Sequence, residues 1–85
     1  MTPAVSVTLY GRPGCHLCDD ALVVLERVRA ELPFVLRTVN IEEDDALLAA
    51  YLERIPVVSI DGDEVYDFHV DEADLRARLA RVIRR

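Results

Sequence analysis

Two cysteines, Cys15 and Cys18, are the residues of this chain best suited to chemistry. Residues three apart lie on one face of a helix, so the two sulfurs can meet as a disulfide if a helix starts at Cys15. Backbone N–H groups at a helix start favour an anion. Thiols so placed titrate anywhere from roughly 3.5 to 7.5, against about 8.5 unperturbed. Cys15 is therefore the expected nucleophile. Cys18, one turn further in and less exposed, is the expected resolving thiol, attacking the mixed disulfide that Cys15 forms. Arg12 and protonated His16 would stabilise the Cys15 thiolate, whereas Asp19, four residues on, opposes them. A depressed but not extreme pKa is expected.

Two other chemistries compete for the pair. Tetrahedral zinc takes four Cys or His ligands, and the chain holds only Cys15, Cys18, His16 and His69. His16 lies inside the C-x-x-C, where it cannot readily join the same ion, so a metal or iron–sulfur site would need a dimer. No metal ligand is assigned within one chain. Two cysteines that merely pack are the bland alternative, but packing does not explain the glycine–proline turn before them. His69 reads as a loop histidine flanking the last helix.

The rest of the chain must position these residues. Its 85 residues, 52% apolar, are expected to form one domain spanning residues 1–85. A net charge of −6, with every basic residue an arginine, argues against nucleic acid and anionic membrane as partners. No apolar run is long enough to span a bilayer. Met1–Val5 carry no positive charge, so no secretory leader is expected. In a chain read as cytoplasmic, a lone C-x-x-C is catalytic or metal-binding rather than a staple. A monomer is expected.

Residues 5–10 alternate, with Val5, Val7 and Leu9 on one face, and read as a strand delivering the Gly11–Gly14 turn. From His16 to Leu32 the period is helical, with Leu17, Ala21, Val24, Leu25, Val28 and Leu32 inward, and Pro33 ends it. Residues 34–41 form a second strand, partly exposed at an edge. The acidic run 42–45 opens a short helix to about Glu53, apolar at Leu47, Leu48, Tyr51 and Leu52; four acids suit its positive end. Arg54-Ile55-Pro56 breaks that helix before a buried strand, residues 57–60. Asp61-Gly62 is a two-residue hairpin turn into strand 64–68. Asp71 caps a last helix with Leu75, Leu79, Val82 and Ile83 inward and an Arg-rich end. The order βαβαββα requires the first two strands to be parallel and the last two antiparallel. The expected class is α/β, a four-stranded mixed sheet with helices on both faces.

Residues 9–18, Leu-Tyr-Gly-Arg-Pro-Gly-Cys-His-Leu-Cys, resemble the glutaredoxin active-site segment, which typically reads Tyr-Ser-Lys-Pro-x-Cys-Pro-Tyr-Cys. The resemblance covers nearly the whole chain and implies the thioredoxin fold. It places Ile55-Pro56 at that fold's cis-proline, beside Cys15, where the Ile55 backbone would pair with a bound peptide or glutathione. It gives Arg12 the place of a lysine that contacts a glutathione carboxylate. His16 replaces a proline and would tune the redox poise. Glutaredoxins carry Gly-Gly before the last helix, whereas here residues 69–74, His-Val-Asp-Glu-Ala-Asp, hold no glycine and add bulk and negative charge. Weak glutathione affinity follows.

The expected activity is thiol–disulfide oxidoreduction on protein or small-molecule disulfides. Arg12, His16, Ile55 and Pro56 would bind substrate, and the redox-active disulfide would be the only prosthetic element. Glutathione, another low-molecular-weight thiol or a reductase would donate electrons. A non-catalytic thioredoxin-fold adaptor that docks a partner near Pro56 is the alternative.

Overall fold

The computed structural model describes residues 4–84. Residues 1–3, which carry most of the reading of the N-terminus, and Arg85 lie outside the described residues. Four strands, β1 (Ser6–Gly11), β2 (Val35–Asn40), β3 (Val57–Ile60) and β4 (Asp63–Asp67), form one sheet in the order β2-β1-β3-β4. Three α-helices, α1 (His16–Arg29), α2 (Asp45–Tyr51) and α3 (Glu72–Ile83), complete the α/β chain, with a 3₁₀ turn, Ile41–Glu43, between β2 and α2. β1 is parallel to β2 and antiparallel to β3; β3 and β4 are antiparallel. This is the expected βαβαββα order.

Alternation along the strands sorts the two faces. Val5, Val7, Leu9, Val58 and Ile60 pack with Ala21, Leu25 and Val28 of α1 and with Leu75 and Leu79 of α3. Burying each such side chain stabilises by about 1.5–3 kcal/mol. The residues between them turn the other way. Tyr10 stacks on Tyr51 of α2, with ring centroids 4.7 Å apart, so α2 covers the opposite face. β3 is covered on both faces, and all four of its residues are buried. β2 lies at the edge; half of its residues are exposed and none is buried. No helix among the described residues is long and apolar enough to cross a membrane.

Several local expectations are corrected. α1 ends at Arg29, and residues 30–32 form a turn in which Glu31 and Leu32 N–H groups both donate to the Val28 carbonyl. Leu17, expected inward, is 50% exposed and lies outside the core cluster. Ile41 leaves the strand for the 3₁₀ turn and is fully buried. The acidic run does not open α2 as one piece. Asp44 is the cap, its Oδ1 accepting from Ala46 and Leu47 N–H, and Glu42 and Glu43 precede it. No residue of α2 is buried, and Leu52 is exposed. Asp61 and Gly62 take φ of 49° and 90°, the primed turn their types favour. β4 then runs one residue earlier than expected, leaving Phe68 outside it at φ 65°.

Candidate active site

β1 carries the chain to Gly11, where the core ends, and residues 12–15 turn it into α1. Cys15 is the N-cap of α1 in extended conformation, and the Cys18 N–H donates to its Sγ at 3.2 Å. The sulfur thus takes the part that a serine or aspartate oxygen usually plays, satisfying an orphan N–H where the helix dipole favours negative charge. The two cysteines are joined as a disulfide, with Cα atoms 5.2 Å apart. Cys15 is half-buried and Cys18 is buried.

Gly11 is what lets Cys18 sit there. A Cβ at Gly11 would stand 2.9 Å from Cys18 Sγ and 3.1 Å from Cys18 Cβ. The antiparallel register pairs Tyr10 with Val57. Continued by one residue, it sets Pro56 against Gly11. The Ile55–Pro56 bond is cis, and Pro56 is buried. The Ile55 N–H donates to the Tyr51 carbonyl at 3.1 Å.

A polar network holds this proline loop. Arg54 donates to Asp67 at 3.1 and 3.0 Å and also reaches Glu64, while its guanidinium lies 5.3 Å from the Tyr51 ring centroid. The Tyr51 hydroxyl donates to Glu64 at 2.8 Å. Hydrogen bonds from Arg54, then from Tyr51, hold the Glu64 carboxyl below its ordinary pKa, and the bond to Glu64 raises that of Tyr51. The Phe68 N–H donates to the Pro56 carbonyl at 2.8 Å, joining the β4–α3 loop to the same corner.

The two expected cationic helpers are both engaged elsewhere. Arg12 is exposed, with its guanidinium 2.7 Å from the Glu42 carboxylate. The His16 ring is highly exposed, and its Nε2 lies 3.4 Å from Asp20, one turn along α1. His69 is exposed in the loop before α3. Among the described residues no group of three His, Cys, Asp or Glu side chains could hold a metal ion. Sequence reasoning placed Gly11 in the turn, whereas it ends β1, and it missed the Gly11–Cys18 contact, Phe68 and the Arg54 network.

Comparison with known proteins places this geometry. The family model described as the glutaredoxin-like domain (DUF836) matches residues 6–80. An uncharacterized protein of Mycobacterium tuberculosis, Rv0508, is 35% identical over 80 residues, covering 88% of this chain and 82% of the relative. The X-ray structure of protein XcR50 from X. campestris is 39% identical, with a TM-score of 0.74 over 88% of this chain and 96% of that one. A mutant thioredoxin from Halobacterium salinarum, 22% identical, has a TM-score of 0.69 over 92% of this chain and 74% of that one; it shares the fold.

Proposed function

The chain belongs to the glutaredoxin-like (DUF836) domain family, and from that premise we propose that it is a dithiol oxidoreductase with Cys15 as nucleophile and Cys18 as resolving thiol. One observation carries the reading: Cys15 Sγ caps α1 within reach of the Cys18 N–H, while Cys18 is buried behind it. In the reduced protein the Cys15 thiolate attacks one sulfur of a substrate disulfide. That bond breaks, and the departing thiolate takes a proton. Cys18 then gives up its proton and attacks Cys15 Sγ, the second substrate thiol leaves, and the Cys15–Cys18 disulfide forms. Substrate gains two electrons, and a low-molecular-weight thiol or a reductase returns them to the protein.

We place this activity in a single cytoplasmic domain working as a monomer. Its substrates would be protein or small-molecule disulfides, the Ile55–Pro56 corner would form one wall of the groove, and Arg12 and His16 would lie at its rim. Cys18→Ser should trap the substrate covalently on Cys15, whereas Cys15→Ser should abolish turnover of any disulfide the native protein reduces. Unchanged turnover in Cys15→Ser refutes the assignment.

A further inference from the structure

The resolving step needs Cys18 to give up a proton, and Cys18 is only 6% exposed. A thiol taken out of water yields its proton reluctantly unless a base lies within reach, directly or through one water. One side of Cys18 is open to such a path. A cavity of about 230 Å³ lies between α1 and β2, and Cys18 lines it while Cys15 does not. Leu9, Leu22 and Val39 give it apolar walls, whereas Thr38 and Asn40 bring a hydroxyl and an amide. Such a space admits water and offers it polar partners.

Two charged groups line this cavity among the described residues. Asp19 on α1 is its carboxylate and Arg12 on the turn its cation, while β1 and β2 contribute no charged side chain. Arg12 is already paired with Glu42 in the 3₁₀ turn beyond β2. The next acid on α1, Asp20, lies 3.4 Å from His16 and lines a different cavity. The Asp19 carboxylate, by contrast, forms no ion pair among the described residues. Its backbone N–H donates to the Cys15 carbonyl at 3.1 Å, which fixes the residue in the first turn beside the dithiol.

We infer that Asp19 receives the Cys18 proton through water held in this cavity, an assignment that rests on the dithiol reading. Once Cys15 holds the substrate as a mixed disulfide, a water between the two side chains takes the Cys18 proton and passes one of its own to the Asp19 carboxylate. The electron pair left on Cys18 Sγ forms the bond to Cys15 Sγ. The bond from Cys15 to the substrate sulfur breaks, and the departing thiolate carries that pair away and is protonated by solvent. Asp19 then returns its proton to solvent. An acid that acted only through its charge would hinder this step, because a carboxylate near a thiol disfavours the thiolate. The two roles therefore have opposite signs: loss of the carboxylate speeds resolution if Asp19 is only a charge, and slows it if Asp19 accepts the proton.

Reduced protein is mixed in a stopped-flow instrument with dithiodipyridine, an uncharged aromatic disulfide whose thiol is followed by absorbance. Attack by Cys15 releases the first thiol at a rate set by reagent concentration, and resolution by Cys18 releases the second at a rate independent of it. Asp19→Asn should slow the second phase at least about fivefold, most at low pH where hydroxide is scarcest, and should not slow the first. Asp20→Asn, which removes the same charge from the same turn, should not slow the second phase. A smaller effect of Asp19→Asn, a faster second phase, or equal slowing by Asp20→Asn overturns the assignment. A native protein that releases one thiol and no second would instead remove the dithiol reading, and the assignment with it.

Discussion

Replacing Gly11 by alanine should make the Cys15–Cys18 disulfide more oxidising. Gly11 is not in the positive-φ region, so the backbone accepts alanine, and the whole cost falls on contact with Cys18. The new methyl carbon would stand 2.9 Å from Cys18 Sγ and 3.1 Å from its Cβ, both well inside ordinary carbon and sulfur contacts. Overpacking of this kind typically costs about 1–3 kcal/mol.

The two contacts respond differently to reduction. In the dithiol, Sγ is free to rotate away from the methyl group, while Cβ stays where the helix holds it. The sulfur's share of the strain is therefore confined to the oxidised form and raises its free energy relative to the dithiol. If that share is most of the total, the reduction potential rises by about 20–65 mV, at ~30 mV for each 1.4 kcal/mol. Lost chain entropy in the unfolded state stabilises both forms by a similar amount and cancels from the potential. The potential is thus a cleaner reading than the melting temperature. Equilibration with a graded thiol–disulfide buffer, followed by alkylation and mass measurement, gives it directly. An unchanged or more negative potential, or equal losses of melting temperature in the oxidised and reduced proteins, would refute the placement of Cys18 against Gly11.

Glu42→Gln removes the carboxylate that engages Arg12 and should lower KM for an anionic disulfide such as glutathione disulfide by up to about fivefold, the range of an exposed ion pair, with kcat little changed. Steady-state kinetics with this one substrate decide it, and an unmoved KM counts against the pair as a charge filter. Acid should destabilise the fold through Glu64, Glu72 and Asp74, held below their ordinary carboxyl pKa chiefly by hydrogen bonds from Arg54, Arg27 and Tyr66 respectively. Their folded-state pKa is lowered, so their contribution is present above the unfolded pKa of about 4 and is lost as pH falls through the folded value. Melting temperature should stay level from neutral pH to about 5 and fall below about 4, less steeply in Glu64→Gln and in high salt. An identical acid slope in Glu64→Gln would contradict the assignment.

The path of the chain was legible because its signals are local. Alternation marked β1, the Asp61-Gly62 turn marked the hairpin, and Asp71 marked the start of α3, where its carboxylate accepts from the Asp74 N–H at 3.0 Å. The cysteine spacing was legible for the same reason, whereas the cis Pro56 was expected only from the resemblance to glutaredoxins. What escaped was set by contacts between distant residues. The exposure of Leu17 depends on where the sheet ends beneath α1, and the packing of Gly11 on Cys18 depends on how α1 leaves the turn. In sequence Arg54 is only the first residue of the segment in which Pro56 ends the helix, and it finds its partners when the hairpin brings Glu64 and Asp67 back to it. The split of the acidic run into a 3₁₀ turn and a capped helix follows from Ile41, which turns into the core and takes the backbone with it.

Phe68 ties the two halves of the site together. The resemblance to glutaredoxins led to an expectation of weak glutathione binding from the bulk and negative charge that stand in place of the missing glycines. The loop before α3 contains a left-handed residue, Phe68, whose N–H donates to the Pro56 carbonyl. What has changed is the surface the backbone presents: a ring in place of hydrogen, with Asp67 and Asp71 on either side. A ring held in costly backbone geometry and exposed to water raises the free energy of the isolated protein. An anionic thiol that paired with Arg12 would have to displace Glu42. Glu42 thus bears on the expected weak glutathione affinity from the Arg12 side of the dithiol, and Glu42→Gln separates its charge from the bulk of the loop before α3.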